Sequence, residues 1–185
     1  MTIEFKKGDA LLIVDVQNDF CPGGALEVPD GDTVIAPLNQ AIEAARQTDT
    51  PVIASRDWHP EGHCSFEAQG GPWPEHCVQD SFGAAFHPDL RLPADVEIIS
   101  KGQSLDRDQY SALDDTGLGQ QLRNRGIKRL WIGGLAQDVC VHATVLDALS
   151  QGFEVKLLAS ATRPVDPDKG DAVMDEMREK GAETV

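Results

Sequence analysis

The chain has 185 residues, with 31 acidic against 16 basic side chains and a formal net charge of −15 at pH 7. That length suits one α/β domain, and a domain of this size buries roughly 70% of its unfolded surface, so it needs no disulfide or metal staple to fold. Such a charge repels phosphate backbones and anionic lipid, which argues against nucleic acid and membrane as partners.

Taken in chain order, the apolar run "ALLIVDV" reads as a first strand ending at Asp15. The "DGDT" that follows offers acidic caps to a helix over "TVIAPLNQAIEAARQT". "PVIAS" predicts a second strand, leading to Asp57 and His59. From Asp57 to about Pro93 the rhythm breaks. This stretch is rich in Gly and Pro, holds four of the five histidines and predicts no regular element. A loop that long inside a compact domain is usually functional. "VEIIS" predicts a third strand running to Lys101, "GLGQQLRNRG" a helix, and "KRLWIGG" a fourth strand entering "GGLAQDVC". A helix over "VCVHATVLDALSQG" closes at Gly152, "FEVKLLAS" is a fifth strand, and "PDKGDAVMDEMREKGA" a last helix ending at Gly181.

Near-continuously apolar strands alternating with helical patterns predict an α/β, three-layer Rossmann-like fold: a mainly parallel sheet with helices on both faces. The expected organisation is a single domain over 1–185 with a loop insertion at about 57–93. The opening segment has a short apolar run interrupted at Asp15, unlike a signal peptide, and no stretch approaches the roughly 20 apolar residues of a membrane span. With four cysteines and no CxxC pair, the chain is expected to be cytoplasmic, its thiols reduced.

Open parallel sheets bind ligands beyond the carboxyl ends of their strands. Asp15, Asp57, His59, Lys101 and Cys140 all fall at that edge. Asp15 alone reads equally as a turn cap or as an active acid. A haloacid-dehalogenase-type phosphatase would need a second Asp two residues on, where Gln17 stands. "DWH" spaces Asp57 and His59 as two ligands of one metal, and His76 can complete a two-His, one-carboxylate set open to water or substrate. A closed zinc site built from the His63–Cys64 and His76–Cys77 pairs is the rival, with awkward adjacent spacing. Cys140 by itself reads as a small buried hydrophobe. Near a helix start and facing Lys101, its thiol would instead be favoured as thiolate, and it becomes a nucleophile.

"ALLIVDVQNDFCPGGAL", "SRDWHPEGHCSF", "GGPWPEHCV", "KGQSLDRDQYSALDDTGL" and "GLAQDVCVHATVLDA" together resemble the nicotinamidases, or pyrazinamidases, of the isochorismatase-like cysteine hydrolase superfamily. The resemblance implies a catalytic triad of Asp15, Lys101 and Cys140, and metal ligands Asp57, His59 and His76. It implies Phe20, Trp73 and Tyr110 around the substrate ring, a cis peptide between Leu135 and Ala136, and an oxyanion hole from the N–H groups of Ala136 and Cys140. It further implies one divalent metal ion (zinc first, then iron or manganese), no nucleotide cofactor, and a small aromatic amide as substrate. The activity implied is conversion of nicotinamide to nicotinate and ammonia in NAD salvage, with pyrazinamide also accepted. Cys64, Leu113 and Gln137 depart from the family pattern, and His87 and His142 read as structural. Both a monomer and a homo-oligomer fit. The competing functions are hydrolysis of another small amide or carbamoyl compound, and a non-catalytic metal- or ligand-binding domain.

Overall fold

Among the described residues, six strands form one sheet: β1 (Asp9–Val14), β2 (Val52–Asp57), β3 (Glu97–Lys101), β4 (Arg129–Leu135), β5 (Glu154–Arg163) and β6 (Glu183–Thr184). The computed structural model describes residues 3–185. The strand order is β3-β2-β1-β4-β5-β6, and every neighbouring pair is parallel. Among the described residues four α-helices accompany them: α1 (Ile35–Gln47), α2 (Leu118–Asn124), α3 (His142–Ser150) and α4 (Gly170–Glu179). The expected three-layer α/β architecture is therefore present, with two adjustments. The sheet is wholly parallel, and it gains β6, a two-residue strand too short to leave a pattern in the sequence.

Burial explains the layers. Every residue of β1 is buried, as a central strand covered on both faces requires. With a period of two, Leu11 and Ile13 pack with Leu38, Ala41, Ile42 and Ala45 of α1. Ala10, Leu12 and Val14 belong to the opposite core, with Leu118 and Leu122 of α2, Val145 and Ala148 of α3, and Met174 and Met177 of α4.

Several local expectations need correction. Asp30 sits in the left-handed region and makes no side-chain cap; Gly31–Val34 form a 3-10 turn that feeds α1 instead. The helix expected from Val139 begins as a π-helical turn, Gln137–Val141, and becomes α-helical only at His142. The long segment after β2 is not structureless. It contains a 3-10 turn at Glu67–Gln69 and single bridges Gln17↔Phe86, His59↔Val78 and Phe66↔Trp73. Leu90, Phe86 and Leu92 pack into the core beside α1, so this segment covers the sheet face where a crossover normally lays a helix. Gly152 and Gly181 end α3 and α4 with positive φ, as read from the sequence.

Strand order reverses between β1 and β4, so the crevice of this sheet opens where Asp15 follows β1 and the π-helical turn follows β4.

Candidate active site

The crevice is built from strand ends. β3 delivers Lys101 as its last residue, fully buried. Its Nζ lies 2.8 Å from Asp15 Oδ2 and donates to Cys140 Sγ at 3.3 Å. The same ammonium pairs with Asp57 Oδ1 and donates to the Gln109 carbonyl at 3.3 Å. Asp15 is turned into the cluster by a left-handed backbone, φ 48°, and Ser55 Oγ donates to its Oδ1 at 2.7 Å. Cys140 comes from the π-helical turn; such turns recur at functional sites. Its approach needs Gly134, whose φ is 129° and where a Cβ would overlap the backbone of Val14.

Electrostatics follow from enclosure. Burial disfavours the Lys101 ammonium, yet Asp15 and Asp57 hold its pKa well above the ordinary amine value. Burial pushes Asp15 up from the usual carboxylate value, with Lys101 opposing. Asp57 is buried too, but Lys101 and then His59 keep it below the usual range. Burial drives the Cys140 thiol well above its ordinary value; Lys101 opposes this, while Asp15 adds to it. The expectation of a thiol lowered by a helix start and Lys101 is therefore wrong for this fold. Desolvation of a fully enclosed sulfur outweighs both, and the carboxylates beside it oppose a second negative charge.

A few ångströms away, ligand atoms of Asp57, His59 and His76 lie within 4.8 Å of one another. His59 Nε2 is 3.7 Å and His76 Nε2 3.9 Å from Asp57 Oδ2. Both Nδ1 atoms face carbonyl oxygens, Gly102 O at 3.0 Å and Pro74 O at 2.7 Å. A carbonyl accepts only, so each Nδ1 carries a proton, and Nε2 is the ring nitrogen turned toward Asp57, the one free to ligate an ion. This is the arrangement of metal-ligating histidines with their outer partners in place, and the donor set fits a divalent ion. Asp15, Asp57 and Cys140 form a second close set, but there the Lys101 ammonium already supplies the cation. The rival closed zinc site does not form. Neither Cys64 nor Cys77 joins a ligand cluster among the described residues, and His63 spends its ring nitrogens on Ser65 Oγ (2.7 Å) and Arg107 O (3.1 Å).

Between the two clusters lies a cavity lined by Phe20, Leu26, Trp73, Tyr110, Val139 and Val165, with Asp57, His59, His76, Asp108, Ala136 and Cys140. Phe20 is buried, its ring 5.7 Å from that of His76. Trp73 Nε1 donates to the Tyr110 hydroxyl at 3.1 Å, and Tyr110 is exposed. The Leu135–Ala136 peptide is cis. Of the sequence-selected residues, Phe20, Asp57, His59, Trp73, His76, Tyr110, Ala136 and Cys140 thus line one cavity, while Asp15 and Lys101 are buried behind Cys140 and do not line it.

Sequence reasoning missed several neighbours. Phe66 packs edge-on against both His59 and His76. Leu26, Val139 and Val165 are apolar walls that carry no chemical signature. Asp57 touches both clusters, a link no spacing rule predicts. His142, read as structural, meets Glu176 at 3.2 Å.

Residues 9–185 match the isochorismatase domain family. The chain belongs to that family. Among isochorismatase-family relatives, the nicotinamidase of Escherichia coli (strain K12) is 42% identical over 177 residues, covering 84% of this chain and 83% of the relative. A pyrazinamidase of Pyrococcus horikoshii in complex with zinc superposes with a TM-score of 0.93 at 46% identity, over 96% of this chain and 98% of that one. PnC1 from L. infantum in complex with nicotinate superposes with a TM-score of 0.92 at 37% identity, over 100% of this chain and 96% of that one. Among the described residues, no helix is long and apolar enough to cross a membrane.

Proposed function

We propose that this chain is a nicotinamidase, a cysteine amidohydrolase converting nicotinamide to nicotinate and ammonia, with pyrazinamide as a second substrate. The observation carrying this reading is Cys140, backed by Lys101 Nζ and through it by Asp15, lining a cavity whose wall also holds a two-His, one-carboxylate cluster. Nicotinamidase and pyrazinamidase relatives spanning nearly the whole chain support it. The reading takes the chain as a single hydrolase domain over 1–185, with the 57–93 segment as its metal loop, working in the cytoplasm in NAD salvage.

In this mechanism Phe20 and Trp73 flank the flat ring, with Tyr110 near the mouth, and direct the carboxamide toward Cys140. Asp57, His59 and His76 would hold the divalent ion, zinc by analogy with the Pyrococcus relative. When bound it supplies a Lewis acid that can fix the ring nitrogen. Asp15 takes the thiol proton as sulfur attacks the amide carbon. Because burial keeps the resting sulfur protonated, this transfer belongs to the attack itself, and Lys101 balances the charge that moves between the two groups. The Ala136 and Cys140 N–H groups receive the developing oxyanion, each such donor being worth about 3 kcal/mol of barrier. Asp15 returns the proton to the leaving nitrogen and ammonia departs. Water, deprotonated by Asp15, opens the thioester to nicotinate, and the proton returns to sulfur.

Ammonia release from nicotinamide, assayed with and without chelator, tests the reading. Cys140→Ala should abolish release while keeping bound metal and ring binding. Turnover surviving in that variant would remove the nucleophile. Absence of turnover in the wild type, with release from a different small amide, would move the chain to another branch of the family.

A further inference from the structure

β1 leaves the sheet before β2 does. Their last paired residues are Val14 and Ser55, followed by one more bond, from Asp15 N–H to Ser55 O at 3.1 Å. Beyond it Asp15 turns the chain away with a positive φ. Asp57 lies two residues past Ser55, so its N–H and C=O face the same side, toward a strand that is no longer there. On the other side Trp58 N–H is bonded to Lys101 O of β3. Two buried backbone groups of Asp57 therefore need a partner that the sheet does not provide.

The side chain of Gln17 provides it. Gln17 is fully buried; its Oε1 accepts from Asp57 N–H at 2.8 Å, and its Nε2 donates to Asp57 O at 2.8 Å. The second Nε2 hydrogen goes to Ala84 O at 2.9 Å, tying in the long segment after β2. A primary amide offers the same donor and acceptor as a peptide group, so Gln17 acts as one extra rung of the sheet. What that rung fixes is the one residue with an oxygen in each cluster: Asp57 Oδ1 pairs with Lys101, and Oδ2 faces His59 and His76.

We propose that Gln17 is a positioning residue that sets metal affinity by holding the Asp57 backbone, and through it the carboxylate, in register with His59 and His76. The proposal rests on the reading of Asp57, His59 and His76 as metal ligands. It concerns a side chain that contacts neither the metal position nor the cavity. Glu at this position keeps the shape but has no N–H to give Asp57 O or Ala84 O. Leu offers neither donor nor acceptor. Asn keeps both but is one methylene short.

Zinc affinity, measured by competition with a chromophoric chelator, separates this role from a merely structural one. Gln17→Glu and Gln17→Leu should bind zinc 10- to 100-fold more weakly, the usual consequence of losing an outer partner of a ligand, and Gln17→Asn should fall between them and the wild type. Ile42→Ala, on the buried face of α1 and among neither the cavity-lining nor the ligand residues, should lower the thermal midpoint and leave zinc affinity unchanged. Wild-type affinity in any folded Gln17 variant overturns the proposal, Gln17→Asn serving if the others do not fold. So does an equal loss of affinity in Ile42→Ala. A wild-type protein that binds no zinc at all instead refutes the metal reading, a result visible before any variant is compared.

Discussion

Lys101 is surrounded by more negative charge than it can neutralise alone: two carboxylates and a potential thiolate converge on one ammonium. Burial keeps the sulfur protonated and the carboxylates add to this, so chemistry has to create the thiolate as it is used. Removing the cation exposes the imbalance. Lys101→Met keeps the volume but strands Asp15 and Asp57 in a dry site, and breaking a buried pair in this way costs about 3–5 kcal/mol. Urea unfolding should show that loss together with lost turnover; a variant as stable as the wild type would mean the cluster is not enclosed as described. The identities of Asp15, Lys101 and Cys140 were legible because each stands at, or just beyond, the carboxyl end of a strand at one edge of the sheet. The protonation of Cys140 was not, because a helix start and a nearby lysine can be read from spacing, whereas desolvation depends on which chains close over the sulfur.

At the scale of elements, β3 does more than carry Lys101. Gly102, the next residue, has φ 65° and accepts from His59 Nδ1 at 3.0 Å, and a Cβ added there would overlap the imidazole ring. Gly102→Ala should therefore push His59 off its position and lower the zinc retained per chain after gel filtration, with the sheet otherwise intact. Full retention would show that the ring has room to move. The 57–93 segment was legible as functional from its histidines and its length. Its second job, covering the α1 face of the sheet with Phe86, Leu90 and Leu92, was not, because scattered apolar residues between glycines and prolines carry no period. The π-helical turn was also hidden, since nothing in "QDVCV" reveals one additional residue in a helical turn.

For the whole molecule, the metal cluster is a tie between distant pieces of chain. Asp57 ends β2, while His59 and His76 belong to the segment that wraps back over the sheet. An ion bound there should stabilise the native fold, because the unfolded chain holds no such site. Zinc at 100 times its dissociation constant adds about 2.7 kcal/mol, which corresponds to roughly 5–10 °C in Tm at this size. Thermal unfolding of the metal-free protein with added zinc should show that rise in the wild type and not in His76→Ala. Equal shifts in both would place the ion elsewhere.

The sequence by itself determined the alternation of strands and helices, the edge at which the reactive residues gather, and which residue types meet there. Those features depend on local periodicity and on the rule that parallel strands present their carboxyl ends together. Only the tertiary structure decided that Asp57 belongs to both clusters, that Gln17 replaces a missing rung of the sheet, and that Cys140 rests as a thiol. Each of these depends on where strands stop relative to one another and on how completely water is excluded, and neither quantity is local to any stretch of the chain.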